Sequence, residues 1–323
     1  MPSDSSLPLV IVNPASAGGA THDSWARIAS DLRTHFGPFA VVFTDAPGDG
    51  RKLAAEAAGK GTKLIIACGG DGTVSEVANG VLESNQDAEL GILPSGTGGD
   101  FRRTLKIPAN PAAASRVLRD GRARRIDVGR VSFVNDRDQH ETRFFLNVAS
   151  FGMSTDVLER ARRGGDSGKW MSALGSNRIR GKLSYAAATV SATLSASAKD
   201  VYIQLDDDVE RRLRIAEVCV ANARYYGGAM KIAPNAKLDD GLFDLVTIGD
   251  IGAFKILTSS PKLYLGSHLR MDQVNHNLAK RVVARAANQN DALAVELDGE
   301  LVGKLPVTFQ VIPRALSVRC PRT

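Results

Sequence analysis

The sequence has few cysteines and lacks any long apolar run. Its three cysteines, Cys68, Cys219 and Cys320, are too few and too scattered to form a disulfide framework or a zinc site. No segment approaches the ~20 apolar residues that a transmembrane helix requires. The N-terminus also lacks the basic segment followed by an apolar stretch that is typical of a signal peptide. These absences predict a cytoplasmic protein rather than a secreted or membrane-spanning one.

Positive charge is concentrated in two segments of the chain. The formal net charge is +6, and residues 101–130 contain nine Lys and Arg against two Asp, while residues 160–182 contain seven against one. Such segments suit an anionic partner, either nucleotide phosphates or an acidic membrane face, although a solvated surface is the alternative. Because neither segment contains a known nucleic-acid-binding motif, a nucleic acid partner is not expected.

Residues 9 to about 125 alternate short apolar segments with segments of helical periodicity. The predicted strands are 9–13, 39–44, 64–68 and 90–93, and the predicted helices are 22–35, 50–59, 73–83 and 111–120. This alternation predicts an α/β domain at 1–125, with a parallel sheet and helices on both faces. Strand-like segments then follow with much less helix between them, which predicts a mostly antiparallel β domain at 126–308 with a helical insertion at 152–198.

The Gly-Gly-Asp-Gly segment at 69–72 follows a buried strand and precedes a helix. Thr73 and Glu76 have the spacing of a capping box at the start of that helix. Glycines allow a ligand to approach the backbone, and a helix N-terminus attracts phosphate. A carboxylate at Asp71 would repel phosphate unless a divalent cation lies between them. The segment therefore predicts a metal-assisted phosphate site; the alternative is a tight turn with a solvated Asp.

Two further polar loops follow predicted strands. Residues 94–100 read Pro-Ser-Gly-Thr-Gly-Gly-Asp after the strand 90–93, and residues 13–19 read Asn-Pro-Ala-Ser-Ala-Gly-Gly after the first strand. The carboxyl ends of parallel strands lie at one edge of a sheet, where ligands bind in a crevice. The three loops are therefore expected to line one nucleotide site.

Five short motifs occur in order along most of the chain. They are segments 13–19, 69–73, 94–101, 234–244 and 298–300. Together they resemble the diacylglycerol kinase catalytic domain family, in its bacterial lipid kinase branch. The second motif, GGDGT, is shared with NAD kinases and has a close relative in phosphofructokinases, so the first domain is expected to have a similar fold. One position departs from the family: Gly99 stands where Asn is usual, so a polar contact is missing there or is supplied elsewhere.

The resemblance implies a site for ATP and Mg²⁺ and assigns roles to single residues. Glu300 is the expected general base, with Asp71, which would also bind the catalytic magnesium, as the alternative base. The residues expected to bind the nucleotide are Asn13, Thr44, Gly69, Gly70, Asp71, Gly72, Thr73, Gly96, Thr97, Asp100 and Asp298. Of these, Asp100 is expected to join Asp71 around the metal. From the residues alone, Asp-Gly-Glu at 298–300 would be interpreted as a hairpin turn.

The resemblance also implies a second, structural Mg²⁺ in the loop 234–244. Its expected ligands are the backbone carbonyls of Lys237 and Leu242 and the side chain of Asp240, an oxygen-only set that suits a hard cation. The alternative interpretation of this segment is an ordinary acidic turn. The family's last strand returns to the first domain, so residues 309–323 are expected to pack there.

The resulting hypothesis is an ATP-dependent lipid kinase that phosphorylates a hydroxyl of diacylglycerol or of a related glycerolipid or sphingolipid. The alternatives are an NAD kinase-like enzyme and a non-catalytic lipid or nucleotide sensor. A lipid acceptor requires peripheral binding to an anionic membrane surface, for which the basic segment 160–182, with Trp170, Met171 and Leu174, is the expected docking region. Whether the chain forms a homodimer is left open.

Overall fold

A computed structural model describes residues 7–95, 99–135, 137, 139–155, 158, 198–288, 291 and 293–322 of the chain. The chain divides into two compact units. The first comprises Met1–Val128, Leu238–Asp240 and Ile312–Thr323, and the second comprises Gly129–Lys237 and Gly241–Val311. Each unit is therefore built from segments that are distant in sequence.

Helices and strands alternate in the first half of the chain, and strands dominate the second. In chain order the elements are β1 (Leu9–Val12), α1 (Ala20–His35), β2 (Ala40–Phe43), α2 (Asp49–Gly59), β3 (Leu64–Gly69), α3 (Asp71–Glu83), β4 (Glu89–Pro94), α4 (Asp100–Thr104), α5 (Pro111–Asp120) and β5 (Arg122–Val134). They continue with β6 (His140–Phe145), β7 (Val148–Gly152), β8 (Lys199–Leu205), β9 (Arg211–Ala221), β10 (Phe243–Gly249), α6 (Ala253–Leu265), β11 (Val274–Ala279), β12 (Arg281–Ala286), β13 (Ala294–Leu297) and β14 (Glu300–Cys320).

The sheet of the first unit is parallel. Its strand order is β2, β1, β3, β4, and the end of β14 pairs with β4 through Ser317 and Val318. β3 is buried along its whole length, as expected for a parallel strand that is covered on both faces. Helix α5 begins at Pro111 after Asn110, whose side chain accepts a hydrogen bond from the Ala113 N–H at 3.0 Å. This combination of N-cap and proline stabilises a helix start.

The carboxyl ends of the parallel strands meet at one edge of this sheet. The ladder continues past the strand ends, since the Asn13 N–H donates to the Cys68 carbonyl at 3.0 Å and the Ser95 N–H to the Gly69 carbonyl at 3.1 Å. Asn13 after β1 and Ser95 after β4 therefore lie beside the end of β3, as the sequence predicted.

The second unit is built around a closed ring of antiparallel strands. The ring runs β9, β7, β13, β14, β12, β8 and back to β9, and β10 and β11 extend the sheet from β9. Aromatic side chains fill its main core: Phe145 stacks on Phe243 with ring centroids 5.6 Å apart and meets Phe309 edge-on at 6.1 Å. Closure pairs the strand edges within the ring.

The predicted fold class is confirmed. The first unit alternates strands and helices around a parallel sheet, and the second is mostly antiparallel β structure. Most of the expected helical insertion at 152–198 lies outside the described residues. In the part of the chain that the structure describes, no helix is both long enough and apolar enough to cross a membrane.

Candidate active site

The Gly-rich turn after β3 is held against the loop after β1. Asn13 follows β1, and its Nδ2 donates to Thr73 Oγ1 at 3.1 Å. Gly69 ends β3, and a Cβ at this position would lie 2.4 Å from the same Oγ1. Any larger residue at 69 would displace Thr73. The fold thus brings together Asn13, Gly69 and Thr73, which the sequence assigned to nucleotide binding.

The predicted capping box between Thr73 and Glu76 is wrong. Helix α3 begins at Asp71, so both residues already lie within the helix. The Glu76 carboxylate instead accepts hydrogen bonds from the backbone N–H groups of Gly48 at 2.9 Å and Gly50 at 3.0 Å. These groups lie at the start of α2, where unpaired amides need an acceptor. Glu76 therefore joins α3 to α2 rather than capping its own helix.

The Asp71 carboxylate accepts hydrogen bonds from three backbone N–H groups at the start of α4. They belong to Gly99 at 2.6 Å, Asp100 at 3.0 Å and Phe101 at 3.2 Å. A carboxylate stabilises a helix N-terminus because the amides there are unpaired and carry partial positive charge. An ionised carboxylate has about four lone-pair sites, so room for about one further ligand remains. The sequence did not reveal this structural contact of Asp71.

Gly99 is suited to its position by both conformation and packing. Its φ is +106°, which residues with a Cβ rarely adopt. A Cβ here would also lie 2.4 Å from Nε and 3.0 Å from Cδ of Arg102. The departure from the family's usual Asn therefore accompanies a close approach of Arg102, while the Gly99 N–H still donates to Asp71.

Charged residues of α4 lie beside the Gly-rich turn. Asp100 is only 6% exposed, and its Oδ1 lies 2.6 Å from Nη1 of Arg103. Burial, followed by the positive charge of Arg103, lowers the pKa of Arg102. A pocket at this place is lined by Gly69, Gly70, Asp71, Val74, Ile92, Pro94, Gly99 and Arg102. Arg102 thus places positive charge beside the Gly-rich turn, next to the carboxylate of Asp71.

The remaining nucleotide residues of the first unit are distributed around this edge. Thr44 follows β2, is buried, and its N–H donates to the Val12 carbonyl at 2.9 Å. Gly72 lies exposed in the first turn of α3. Gly96 and Thr97 lie outside the described residues, so their predicted roles stay predictions.

The Asp-Gly-Glu motif forms the turn between β13 and β14 in the second unit. Asp298 and Gly299 have φ of +49° and +96°, and Leu297 pairs with Glu300 across the turn. Positive φ at both central residues is characteristic of a two-residue hairpin. The hairpin interpretation is therefore right for the backbone, and it leaves the Glu300 side chain exposed at the start of β14.

Asp298 also contacts the backbone at the start of a neighbouring strand. Its carboxylate accepts hydrogen bonds from the backbone N–H groups of Leu146 at 2.8 Å, Asn147 at 2.8 Å and Val148 at 3.3 Å. These groups lie at the start of β7. Asp298 thus ties the hairpin that carries Glu300 to the neighbouring strand.

Comparison with known proteins shows the family to which the chain belongs. A model of the diacylglycerol kinase catalytic domain matches residues 8–131, and a model of the YegS C-terminal NAD kinase beta sandwich-like domain matches residues 163–320. A diacylglycerol kinase of Mycobacterium tuberculosis (strain ATCC 25618 / H37Rv) is 30% identical over 240 residues, which cover 73% of this chain and 70% of that protein. The chain belongs to the diacylglycerol kinase family.

Other members of the diacylglycerol kinase family extend the match over almost the whole chain. A diacylglycerol kinase of Bacillus subtilis (strain 168) is 28% identical over 320 residues, which cover 97% of this chain and 96% of that protein. The solved structure of a protein from Bacillus anthracis str. Sterne, assigned to the diacylglycerol kinases, is 26% identical with a TM-score of 0.73. It covers 98% of this chain, which in turn covers 95% of it. This chain is therefore a diacylglycerol kinase-like kinase, and its family uses ATP.

The predicted metal loop of this diacylglycerol kinase family member exposes the side chains of Lys237 and Asp240 and half-buries Leu242. The adjacent Asp239 lies 2.8 Å from Nη2 of Arg124, so that carboxylate has a cationic partner. Among the described residues, no group of three or more His, Cys, Asp or Glu could hold a metal. The predicted site needs one carboxylate and two carbonyls, which are acceptable ligands of a hard cation. It stays a prediction.

Asp240→Ala is expected to abolish most of the rise in melting temperature that magnesium produces, with little change in ATP affinity. An ion that binds only the folded chain stabilises it by mass action, so the loss of its ligand removes this stabilisation. Thermal melts with and without magnesium measure the effect. The matched control is Asp239→Ala, which removes only the partly exposed ion pair with Arg124. Equal magnesium responses in Asp240→Ala and the parent would show that the loop is an acidic turn.

Sequence reasoning missed two buried carboxylates of this diacylglycerol kinase family member. Glu217 and Glu296 are each 3% exposed, on β9 and β13. The available signal was weak, since each is one acidic residue within an apolar strand. Whether such an acidic residue is buried depends on which face of its strand is covered, and the neighbouring strands decide that.

Proposed function

We propose that this chain transfers the γ-phosphate of ATP to a hydroxyl of a membrane lipid, diacylglycerol or a related glycerolipid or sphingolipid. The observation that carries the proposal is the open Gly-rich turn at the N-terminus of α3. Apart from Gly70 and its two chain neighbours, no described atom lies within 4 Å of the place where a Cβ of Gly70 would project. The N-cap residue of α3 is Gly70, which has no side chain with which to cap the helix. The backbone amides at a helix N-terminus are suited to bind phosphate oxygens.

The neighbouring side chains suit the phosphates of ATP and a magnesium ion. Arg102 lines the same pocket as Gly70 and offers positive charge. Asp71 retains about one lone-pair site beyond its three amide bonds, which is enough for direct or water-mediated contact with a cation. When bound, magnesium would neutralise phosphate charge during transfer. Asp71 and Asp100 would hold it, and the amides of residues 70–72 would orient the nucleotide.

Glu300 is the proposed base that takes the proton from the attacking lipid hydroxyl. The residue is exposed, and the two-residue hairpin holds its backbone. A base needs hydrogen-bond reach to the hydroxyl and a suitable pKa. Because the acceptor is a lipid, we infer peripheral binding at an anionic membrane surface of the cytoplasm. The proposed docking segment 160–182 lies outside the described residues.

The proposed activity is tested by transfer of labelled phosphate from ATP. The full-length protein is incubated with magnesium and mixed vesicles that contain, in turn, diacylglycerol, monoacylglycerol, phosphatidylglycerol, ceramide, a sphingoid base or a polyprenol, and products are identified by mass spectrometry. Lipid-dependent labelling of one acceptor class supports the proposal. Phosphorylation of NAD in a parallel reaction would favour an NAD kinase-like enzyme. Absence of turnover with every acceptor would favour a sensor.

A further inference from the structure

Two buried glutamates of the second unit lie on either side of β7. Glu217 lies on β9 and Glu296 on β13, and the strand order is β9, β7, β13. Glu296 pairs in register with Ser150, and Glu217 pairs with Gly152. Residues 150 and 152 point to the same face of β7, so both carboxylates lie on one face of the sheet.

Gly152 makes room for Glu217. Its φ is +123°, and a Cβ there would lie 2.5 Å from the Ala216 carbonyl oxygen and 3.2 Å from Glu217 Oε2. Glycine at this position therefore permits the close approach of the carboxylate to β7.

Two serine hydroxyls connect the two carboxylates. Ser150 Oγ lies 2.9 Å from Glu296 Oε2, the two serine Oγ atoms lie 2.9 Å apart, and Ser154 Oγ lies 2.6 Å from Glu217 Oε1. All four side chains are buried. The result is a continuous chain of oxygen contacts, Glu296–Ser150–Ser154–Glu217.

This chain has more contacts than hydroxyl protons. Three oxygen–oxygen contacts at hydrogen-bond distance require three protons. Each serine has one hydroxyl proton, so Ser150 and Ser154 supply two. If both carboxyl groups were ionised, one contact would bring two lone pairs together without a proton. A third proton, on one of the carboxyl groups, satisfies every contact.

The surroundings favour Glu296 as the carrier of this proton. Glu217 accepts an additional hydrogen bond from the Ser154 N–H at 2.8 Å, which stabilises its ionised form. Burial raises the pKa of Glu296 from 4.5 to about 7, with a smaller contribution from the negative charge of Asp298. Hydrogen bonding by Ser150 and by the Gly299 N–H lowers the pKa of Glu296 but does not offset burial.

We propose that Glu296 and Glu217 share one buried proton through Ser150 and Ser154, and that protonated Glu296 is a positioning residue for the hairpin that carries Glu300. Glu296 lies at the root of this hairpin, and Asp298 at its tip holds the start of β7. Ionised Glu296 would add a third negative charge to those of Glu217 and Asp298, at a side chain that is itself buried. The positioning role rests on the proposed function of Glu300, whereas the shared proton does not.

The proposed proton makes folding stability depend on pH in a direction that can be derived. In the described residues, the titratable groups that face Glu296 are Asp298 on the turn and Glu217 and Cys219 on β9. Burial and the negative charge of Glu217 raise the pKa of the Cys219 thiol, so it stays neutral. Folded Glu296 keeps a proton that the unfolded chain releases between pH 4.5 and about 7. Stability therefore falls as pH rises through this window and levels off above it.

Glu296→Gln tests the shared proton without a kinase assay. In the variant, the amide N–H replaces the acid O–H toward Ser150 but does not titrate. The melting temperature of the variant is therefore expected to fall less than that of the parent as pH rises from 4.5 to about 7. Infrared spectra near pH 6 are expected to show the carbonyl band of a protonated carboxylic acid in the parent and not in the variant, since exposed carboxyl groups are ionised there. The control is Asp207→Asn, an exposed carboxyl of the same unit. Identical melting profiles and spectra for Glu296→Gln and the parent would overturn the proposal.

The positioning role is tested by rescue with the conservative variant. Near pH 6, Glu296→Gln is expected to keep the parental kcat, whereas Glu296→Ala is expected to lower kcat about tenfold with little change in KM for ATP, since Ser150 loses its buried partner. Above about pH 7 the parent should lose kcat relative to the Gln variant. Equal losses in the Gln and Ala variants near pH 6 would contradict positioning by the neutral form. If Glu300→Gln keeps full turnover, the function proposed for Glu300 fails, and the infrared and melting results still decide the shared proton.

Discussion

Replacing Glu300 with glutamine is expected to lower turnover by roughly 10²- to 10⁴-fold while ATP affinity is retained. Glutamine keeps the size and much of the hydrogen bonding of glutamate but cannot take a proton from the lipid hydroxyl. The side chain is exposed at the start of β14, and the hairpin is set by Asp298 and Gly299, so the variant should fold normally. Steady-state kinetics with the lipid acceptor, ATP binding and a thermal melt measure the three quantities.

The pH profile distinguishes loss of the base from a general disturbance. The rise in turnover with pH that reports ionisation of the base should disappear in Glu300→Gln. Asp207→Asn, which also removes one exposed carboxylate from the second unit, should leave turnover and profile unchanged. Parental turnover with an unchanged profile in Glu300→Gln would place the base elsewhere, and Asp71 would become the candidate.

Asp71 is expected to give the second large effect, and two substitutions separate its two roles. Asp71→Asn keeps a carbonyl oxygen that can accept from the amides of residues 99–101 but loses the charge that would hold magnesium. It is expected to lose turnover corresponding to several kcal/mol of transition-state stabilisation while keeping most of its stability. Asp71→Ala also leaves those amides without an acceptor and is expected to cost about 0.5–2 kcal/mol of stability, as the loss of a helix cap does.

Magnesium titrations of turnover, together with thermal melts, measure these effects. The Asn variant should remain folded yet inactive at every magnesium concentration. If it instead turns over like the parent, Asp71 is a cap for α4 and nothing more. If both variants lose stability equally, the charge of Asp71, rather than its hydrogen bonding alone, holds the start of α4.

Local patterns in the sequence predicted the first unit closely. The predicted strand 64–68 is β3 at Leu64–Gly69, and the predicted helix 111–120 is α5 at Pro111–Asp120. These elements are encoded over short distances, because an apolar run of this length suits a doubly covered parallel strand and Asn-Pro marks a helix start. The approach of the carboxyl ends of β1, β3 and β4 also follows from the sequence, since parallel strands end at one edge.

Contacts between distant residues could not be predicted in this way. The spacing of Thr73 and Glu76 predicted a local capping box, but Glu76 meets the amides at the start of α2. Asp71 was predicted to be a metal ligand in a turn, but its carboxylate also meets the amides at the start of α4. A carboxylate binds whichever unpaired amides the packed helices bring to it, and that choice is made only when the helices pack.

The sequence by itself determined the order of elements, the Gly-rich turn and the five motifs that relate this chain to the diacylglycerol kinase family. The tertiary structure alone decided which acidic residues are buried and what they contact. Glu296 and Glu300 lie on one hairpin, yet one is enclosed beside Ser150 and the other is exposed. Their difference arises because strand pairing sets the depth of each side chain, and burial raises the pKa of a carboxyl group by removing water from its charged form.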